Sequence, residues 1–335
     1  MRVAINGFGR IGRTLFRQLL DEPKFEIVAV NDLAPAAELA YALKFDTVRG
    51  RYDRPVELDG DSLYVAGQSV QVLNRPDPAS LPWSVLHIDV VFECTGRLTD
   101  VTSLEQHLHA GARFVILSAP ARGGEVPTLA HGVNDAAGVR ILSCASCTTN
   151  AIAPPMEILQ RRFGVLKATM TTVHAYTADQ AVVDRPRDDR RRGRAAGANI
   201  VPSTTGAARA TALALPDLAG KFDGIAIRVP VPVGSIADIT CVLCAPTEVE
   251  CVNAAFREEA ETERYRGILG VSDDELVSSD VIGDSRAAVV DLTLTQVVDG
   301  DLVKVFCWYD NEWGYCAQLV RVARDLAHQA LQTPG

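Results

Sequence analysis

The chain has 335 residues, of which 47% are hydrophobic and 22% charged, and its formal net charge is −9. This length exceeds the size at which one hydrophobic core usually stops growing, so the sequence predicts two domains of a soluble globular protein. The negative charge argues against general binding to nucleic acid or to anionic membranes.

The first half of the chain alternates strand-like and helix-like segments. Short apolar runs at 3–5, 27–30, 89–92 and 114–117 have the pattern of buried parallel strands, and residues 11–20 have a helical apolar period. This alternation predicts an α/β fold with a doubly wound parallel sheet, the Rossmann architecture. No secretory signal is evident before the first strand and no apolar run is long enough to span a bilayer, so we expect a cytoplasmic protein without a membrane segment.

A glycine-rich turn follows the first strand. Gly7, Gly9 and Gly12 form a G-x-G-x-x-G motif that opens a helix, as in dinucleotide-binding sites. The next strand ends at Asp32, at the spacing of the acid that binds a ribose 2′-hydroxyl and repels a 2′-phosphate. The motif and this acid together predict an NAD site.

A candidate nucleophile lies at the start of the second half. Cys147 precedes a helical stretch, where the positive end of the helix is expected to lower the pKa of its thiol. His174 ends the apolar run 169–173, so we expect it at a strand end, where it could act as a base for the cysteine. Cys147 could equally be a small buried apolar residue.

The remainder of the chain predicts a second kind of domain. Alternating runs at 168–175, 225–232, 236–243, 287–298 and 302–308 indicate a mainly antiparallel sheet, with helices near 148–161, 206–214 and 248–261. We therefore predict an NAD-binding Rossmann domain over 1–147, an α+β catalytic domain over 148–314 and a C-terminal helix over 315–335 that packs back on the NAD domain.

The cysteines indicate neither a disulfide framework nor a metal site. The chain has eight cysteines at irregular spacing. Two C-x-x-C pairs, Cys144/Cys147 and Cys241/Cys244, lie almost one hundred residues apart, which does not fit the compact ligand spacing of structural zinc. We predict no metal.

The sequence resembles the glyceraldehyde-3-phosphate dehydrogenase family of the phosphorylating, NAD-dependent type over nearly its whole length. The similar segments are I-N-G-F-G-R-I-G-R at 5–13, A-S-C-T-T-N at 145–150, H-A-Y-T-A-D-Q at 174–180, P-S-T-T-G-A-A at 202–208, R-V-P at 228–230 and W-Y-D-N-E-W-G-Y at 308–315. The resemblance implies an oxidoreductase of glycolysis that oxidises glyceraldehyde 3-phosphate to 1,3-bisphosphoglycerate through a thiohemiacetal and a thioester on Cys147.

The resemblance also implies site residues. Cys147 and His174 would be the catalytic pair. The cofactor would contact Gly7, Gly9, Arg10, Ile11, Gly12, Asp32, Thr95, Gly96, Ser118 and Asn311, with Asn311 orienting the nicotinamide carboxamide. The substrate phosphate and the attacking inorganic phosphate would contact Ser146, Thr148, Thr177, Asp179, Arg194, Thr205, Gly206 and Arg228. The arginine-rich segment 178–200 would correspond to the family's S-loop, which lies near a neighbouring subunit's cofactor in a homotetramer.

Two other functions stay open at this point. Erythrose-4-phosphate dehydrogenase shares the fold, nucleophile and base, although it typically lacks the threonine that this chain has at Thr177 and alters the S-T-T-G segment that is intact here. A redox sensor or a moonlighting binding protein is a hypothesis of another class, because an oxidised Cys147 could be captured by Cys144.

Overall fold

The computed structural model of the chain describes residues 1–135 and 138–332. Two compact units are present. The first consists of Met1–Thr128 with the described parts of Ala136–Cys144 and Leu319–Gly335, and the second of Leu129–Asp135 and Ala145–Gln318. The assignment of domains to 1–147, 148–314 and 315–335 stays a prediction, and residues 136–137 and 333–335 within it lie outside the described residues.

The first unit is built on an eight-stranded sheet. The strands of this unit are β1 Arg2–Asn6, β2 Glu26–Asn31, β3 Phe45–Asp46, β4 Gly50–Arg51, β5 Val56–Asp59, β6 Ser62–Val65, β7 Gln68–Leu73, β8 Val90–Glu93, β9 Phe114–Leu117 and β10 Ile141–Ser143. The helices of this unit are α1 Arg10–Leu19, α2 Ala36–Lys44 and α3 Val101–His109. The sheet order is β10-β9-β8-β1-β2-β7-β6-β5, and β3 pairs only with β4 in a small separate ribbon. The six strands from β10 to β7 are parallel, and β6 and β5 continue the sheet antiparallel. The parallel part has the strand order of a Rossmann sheet, as predicted.

The second unit has a seven-stranded sheet covered by helices. Its elements are α4 Cys147–Phe163, β11 Val165–Ala175, β12 Val201–Thr204, α5 Ala207–Ala214, β13 Phe222–Val229, β14 Ser235–Leu243, α6 Val249–Ala260, β15 Leu269–Ser272, β16 Ala288–Val298 and β17 Leu302–Tyr309, and α7 Trp313–Gln332 follows them. The order is β12-β13-β11-β14-β17-β16-β15. Only the pairs β11–β13 and β15–β16 are parallel, so the predicted mainly antiparallel sheet is confirmed.

Helix α4 lies at the centre of the second unit. Residues 148–159 of this helix are all buried, and several of them join one apolar core with strands β14 and β17. A helix that is buried all round is held by its neighbours on every side. The first turn of α4, which carries Cys147, is therefore fixed in place by the core.

Five strands of the two large sheets were not predicted from the sequence. The antiparallel strands β5 and β6, with β7, form a meander at one edge of the first sheet, and β12 and β15 are four-residue edge strands of the second sheet. Short edge strands have too few residues to establish an alternating pattern.

No helix among the described residues is long and apolar enough to cross a membrane.

Candidate active site

Cys147 is the first residue of α4 and is partly buried. Ser146 precedes it as the N-cap, with its hydroxyl accepting the backbone N–H of Thr149 at 3.1 Å. Ala145, before the cap, has a φ of +52°, a backbone conformation that costs energy for a residue other than glycine. The Tyr315 hydroxyl donates to the carbonyl of Ala145 at 3.1 Å, which helps to hold this turn.

His174 faces the thiol from the end of β11. Its Nε2 lies 3.4 Å from Sγ of Cys147, and its side chain is almost completely buried. Burial, together with the positive charge of Arg228, lowers the pKa of His174 to about 3. The ring is therefore neutral at physiological pH and has a lone pair available for a proton.

The thiol is also neutral in this environment. Burial raises the pKa of Cys147, and the charge of Arg228 and the hydrogen bonds with Thr148 only partly oppose it. The expectation that the helix start lowers this pKa is thus wrong, because burial outweighs the charge near the helix terminus. A neutral thiol beside a neutral imidazole needs proton transfer before it can act as a nucleophile.

The sheet register brings Arg228 to His174. The two residues are direct partners on the parallel strands β11 and β13. Nη1 of Arg228 lies 2.7 Å from Nδ1 of His174, 3.1 Å from the carbonyl oxygen of Ala175 and 3.4 Å from Oγ1 of Thr177. Nδ1 of His174 also lies 2.7 Å from the Ala175 carbonyl.

These contacts leave two tautomers for His174. A guanidinium only donates and a carbonyl only accepts, so Nδ1 can serve one of them at a time. When Nδ1 donates its proton to Ala175, Nε2 presents its lone pair to Cys147. When Nδ1 accepts from Arg228, Nε2 carries the proton instead. Only the first tautomer can take the thiol proton.

Polar groups beside Arg228 extend the site. The Thr177 hydroxyl donates to the carboxylate of Asp179, which also forms an ion pair with Arg192. Burial acts to raise the pKa of Asp179, but the Thr177 hydrogen bond and the charges of Arg192 and Arg228 hold it below its usual value. Two guanidinium groups and a hydroxyl lie close enough together to suit an anionic ligand.

Tyr309, which the sequence analysis did not single out, connects the helix to the strand. Its buried hydroxyl lies 3.0 Å from Oγ1 of Thr148 and 2.7 Å from Oγ1 of Thr172. Thr148 follows Cys147, and Thr172 lies two residues before His174, on the same face of β11. The hydroxyl therefore links the segments that carry Cys147 and His174. The sequence feature that could have indicated Tyr309 is its position in segment 308–315, one of the segments that resemble the family.

The glycine turn of the first unit fits a dinucleotide. A Cβ on Gly7, whose φ is +95°, would lie 2.6 Å from backbone atoms of Cys94 and Thr95. One on Gly12 would lie 2.1 Å from the carbonyl oxygen of Gly7, whereas Gly9 has no atom within 4 Å of that position. The turn is thus tight where the chain packs and open at Gly9, where α1 begins and a pyrophosphate would approach.

Asp32 supports this turn directly. Its carboxylate accepts the backbone N–H groups of Phe8 at 2.7 Å and Ala34 at 3.0 Å. Arg10 forms an ion pair with Asp46 at 2.9 Å. The acid that follows β2 therefore holds the glycine turn in addition to its predicted role toward a ribose.

The chain matches family models in both halves. Residues 1–101 match the glyceraldehyde 3-phosphate dehydrogenase NAD-binding domain and residues 146–311 the C-terminal domain of the same family. A glyceraldehyde-3-phosphate dehydrogenase of Streptomyces coelicolor is 48% identical, with 96% of each chain covered. The enzyme of that name from Geobacillus stearothermophilus is 46% identical and glyceraldehyde-3-phosphate dehydrogenase 1 of Bacillus subtilis 45%, each with 99% of both chains covered.

The chain belongs to the glyceraldehyde-3-phosphate dehydrogenase family. It is an oxidoreductase with an NAD-binding domain, and its Rossmann sheet and mainly antiparallel second sheet agree with the two family domains.

The structure brings only part of the predicted phosphate set together. Thr177, Asp179 and Arg228 are joined by contacts around His174. Arg194 instead forms an exposed ion pair with Asp184 at 2.9 Å, and Arg192, two residues earlier, pairs with Asp179. Sequence spacing could not distinguish these arginines, because four arginines lie within five residues of one loop.

The other predicted phosphate residues lie at helix starts. Thr205 and Gly206 follow β12 and precede α5, and the Thr205 hydroxyl accepts the backbone N–H of Ala207 at 3.2 Å. Ser146 caps α4. Helix N-termini of this kind present unpaired N–H groups to anions.

Asn311 lies in the second unit, buried beside Ser235. Its Oδ1 accepts the Ser235 hydroxyl at 3.1 Å and the backbone N–H of Gly234 at 3.2 Å. Ser235 Oγ also accepts the backbone N–H of Ala175 at 3.1 Å. The assignment of Asn311 to the nicotinamide carboxamide stays a prediction.

The structure does not favour Cys144 as a redox partner. Cys144 is completely buried, and burial is the main cause that raises the pKa of its thiol. A protonated, buried thiol reacts slowly with oxidants.

Proposed function

We propose that the chain catalyses the phosphorylating oxidation of glyceraldehyde 3-phosphate to 1,3-bisphosphoglycerate with reduction of NAD. The observation that carries this proposal is the contact of 3.4 Å between Cys147 Sγ and His174 Nε2, beside the Arg228 guanidinium. Membership of the family, with relatives named for this activity, supports it.

Cys147 is proposed as the nucleophile and His174 as its base. In the tautomer whose Nδ1 donates to Ala175, Nε2 takes the thiol proton and becomes an imidazolium. The thiolate attacks the aldehyde carbon, and the imidazolium stabilises the oxyanion of the thiohemiacetal. After it has protonated this oxyanion, the neutral His174 takes the proton back from the resulting hydroxyl as the aldehyde hydrogen leaves as a hydride and the thioester forms. Inorganic phosphate attacks the thioester, and Cys147 leaves as a thiolate that regains its proton from the imidazolium of His174.

Bound NAD supplies a hydride acceptor for this oxidation. Gly7, Gly9 and Gly12, with Arg10 and Ile11, are the residues proposed to hold its pyrophosphate, and Asp32 its ribose. Thr95, Gly96 and Ser118 are proposed to line the cofactor. The open space at Gly9 and the start of α1 support this assignment.

Two groups of residues are proposed for the two phosphates. Thr177, Asp179 and Arg228 form one, and the helix starts with Ser146, Thr148, Thr205 and Gly206 form the other. Charge-assisted hydrogen bonds from guanidinium and hydroxyl groups favour phosphate. Arg194 would have to leave Asp184 to take part.

The decisive assay is absorbance of reduced NAD with glyceraldehyde 3-phosphate or erythrose 4-phosphate, each with and without inorganic phosphate. We expect turnover that depends on phosphate and prefers the triose. Preference for the tetrose would transfer the chain to the erythrose-4-phosphate dehydrogenase alternative. Turnover that ignores phosphate would refute the phosphorylating step.

We further propose a cytoplasmic homotetramer. Val182, Val183 and Ile200 lie within the arginine-rich segment 178–200 and are largely exposed in the single chain, at 86%, 70% and 69%. Exposed aliphatic side chains of this kind are the apolar surface that another subunit would cover. Light scattering after size-exclusion chromatography tests this, since a monomer mass would refute it.

A further inference from the structure

Glu93, the last residue of β8, has a completely buried carboxylate in the first unit. We propose that it is a positioning residue that holds the cofactor-binding loops together. Its Oε1 accepts the backbone N–H of Thr95 at 2.8 Å and the Thr95 hydroxyl. Its Oε2 accepts Nδ2 of Asn6 at 2.5 Å and lies 3.2 Å from Nε2 of His107.

The orientation of Asn6 is determined by a chain of donors that ends at a backbone group. The N–H of Arg75 donates to Oδ1 of Asn31 at 2.9 Å, so Asn31 must present its amide nitrogen elsewhere. That nitrogen donates to Oδ1 of Asn6 at 2.7 Å. Nδ2 of Asn6 therefore points to Glu93, because flipping either amide would bring two N–H donors face to face.

The orientation of His107 is determined in the same way. The indole N–H of Trp83 can only donate, and it lies 3.0 Å from Nδ1 of His107. Nδ1 is therefore the acceptor and Nε2 carries the proton that points to Glu93. Trp83 and His107 are both completely buried, so no water molecule from bulk solvent can replace either partner.

A carboxylate is the side chain that this position requires. The surrounding groups are a backbone N–H, a hydroxyl, an amide NH₂ and an imidazole N–H, and a carboxylate can accept from all four. A glutamine would direct its own NH₂ at one of these donors. Flipping Asn6 or exchanging the His107 tautomer would only move the conflict to Arg75 or Trp83.

The buried network reaches each loop proposed to hold the cofactor. Asn6 immediately precedes Gly7 of the glycine turn, and Thr95 precedes Gly96. Ser118 donates to the Glu93 carbonyl oxygen through its backbone N–H at 3.0 Å and its hydroxyl at 2.9 Å. One carboxylate and its carbonyl thus tie three segments from different strand ends, although Glu93 itself is shielded from any ligand. The inference rests on the proposed cofactor residues.

The test is Glu93→Gln in the full chain, with the Kd for NAD measured by calorimetry. We expect the Kd to rise about tenfold, which corresponds to about 1.4 kcal/mol. The KM for NAD should rise similarly, with a smaller change in kcat at saturating NAD. The rate of Cys147 alkylation by iodoacetamide without NAD should stay at the wild-type value, because the second unit does not contain this network.

The matched control is Glu157→Gln. Glu157 is a buried carboxylate of the second unit with bonds to Arg161, Arg264 and Tyr265. This variant should lose stability and keep the wild-type Kd for NAD. A Kd within twofold of wild type for Glu93→Gln would overturn the proposal.

If Glu93→Gln does not fold, Asn6→Ala provides the test, because it removes the tether to the glycine turn and leaves the carboxylate in place. An unchanged Kd for that variant would also overturn the proposal. Failure of the wild-type protein to bind NAD would instead refute the cofactor-site assignment.

Discussion

The replacement His174→Asn tests the proposed base most directly. Asparagine fills part of the space of the imidazole but cannot accept the proton of Cys147, which lies 3.4 Å from Nε2. Burial raises the pKa of this thiol. Without a base the variant depends on the thiol that ionises unaided, and even a thiol with the ordinary pKa of about 8.5 is only about 3% ionised at pH 7. Loss of general base and acid catalysis brings the expected fall in kcat to about 10²–10⁴-fold.

The His174→Asn variant should also differ from wild type in the pH dependence of its rate. Because the pKa of His174 is lowered to about 3, the wild-type base stays neutral and competent at every pH above about 4. The variant reacts only through thiol that ionises without a base. Its rate should therefore rise with pH, and the ratio of the wild-type rate to the variant rate should fall. Steady-state rates of NAD reduction across neutral and alkaline pH measure this.

The matched control for this series is His87→Asn, the same substitution at an exposed residue whose φ of +51° asparagine tolerates. It should keep wild-type rates. A His174→Asn variant within tenfold of wild type at pH 7, or a deficit that does not change with pH, would refute the role of His174 as base.

Three further predictions concern the surroundings of the pair. Tyr309→Phe removes the hydroxyl shared by Thr148 and Thr172, and should lower the free energy of unfolding by about 2 kcal/mol; an unchanged denaturant midpoint would contradict it. Arg228→Met should raise the KM for the phosphorylated aldehyde by about 10–100-fold, the loss of one charge-assisted contact; an equal effect on an aldehyde without phosphate would count against a phosphate contact. Burial acts to raise the pKa of Glu157, but its bonds with arginine and tyrosine hold it below the usual value. Its contribution to stability is therefore present above its unfolded pKa of about 4.3 and lost as the pH falls through the lower folded value. The stability difference between wild type and Glu157→Gln should shrink in acid, and a constant difference from pH 7 to pH 3 would show that the charge is not responsible.

Much of the local structure and the family were accessible from sequence. The glycine turn before α1 and the alternating runs of β11, β14 and β17 are encoded by neighbouring residues, because periodicity and turn chemistry act over short distances. The resemblance of segment 145–150 to the family predicted Cys147 as the nucleophile. The four residues of β12 carry no comparable pattern, and only the completed sheet reveals them as a strand.

Tertiary structure decided the contacts and the burial of the candidate residues. Arg228 contacts His174 because β11 and β13 pair in register, and no spacing between positions 174 and 228 predicts that register. The thiol pKa of Cys147 depends on burial, which overrides the helix start that the sequence suggested. Nothing in the sequence near Glu93 and His107 indicates that these two residues share one buried hydrogen-bond network. Sequence by itself determined which chemical groups are available. Long-range packing decided which of these groups are buried from solvent and which contact each other, because burial and hydrogen-bond partners depend on the tertiary structure.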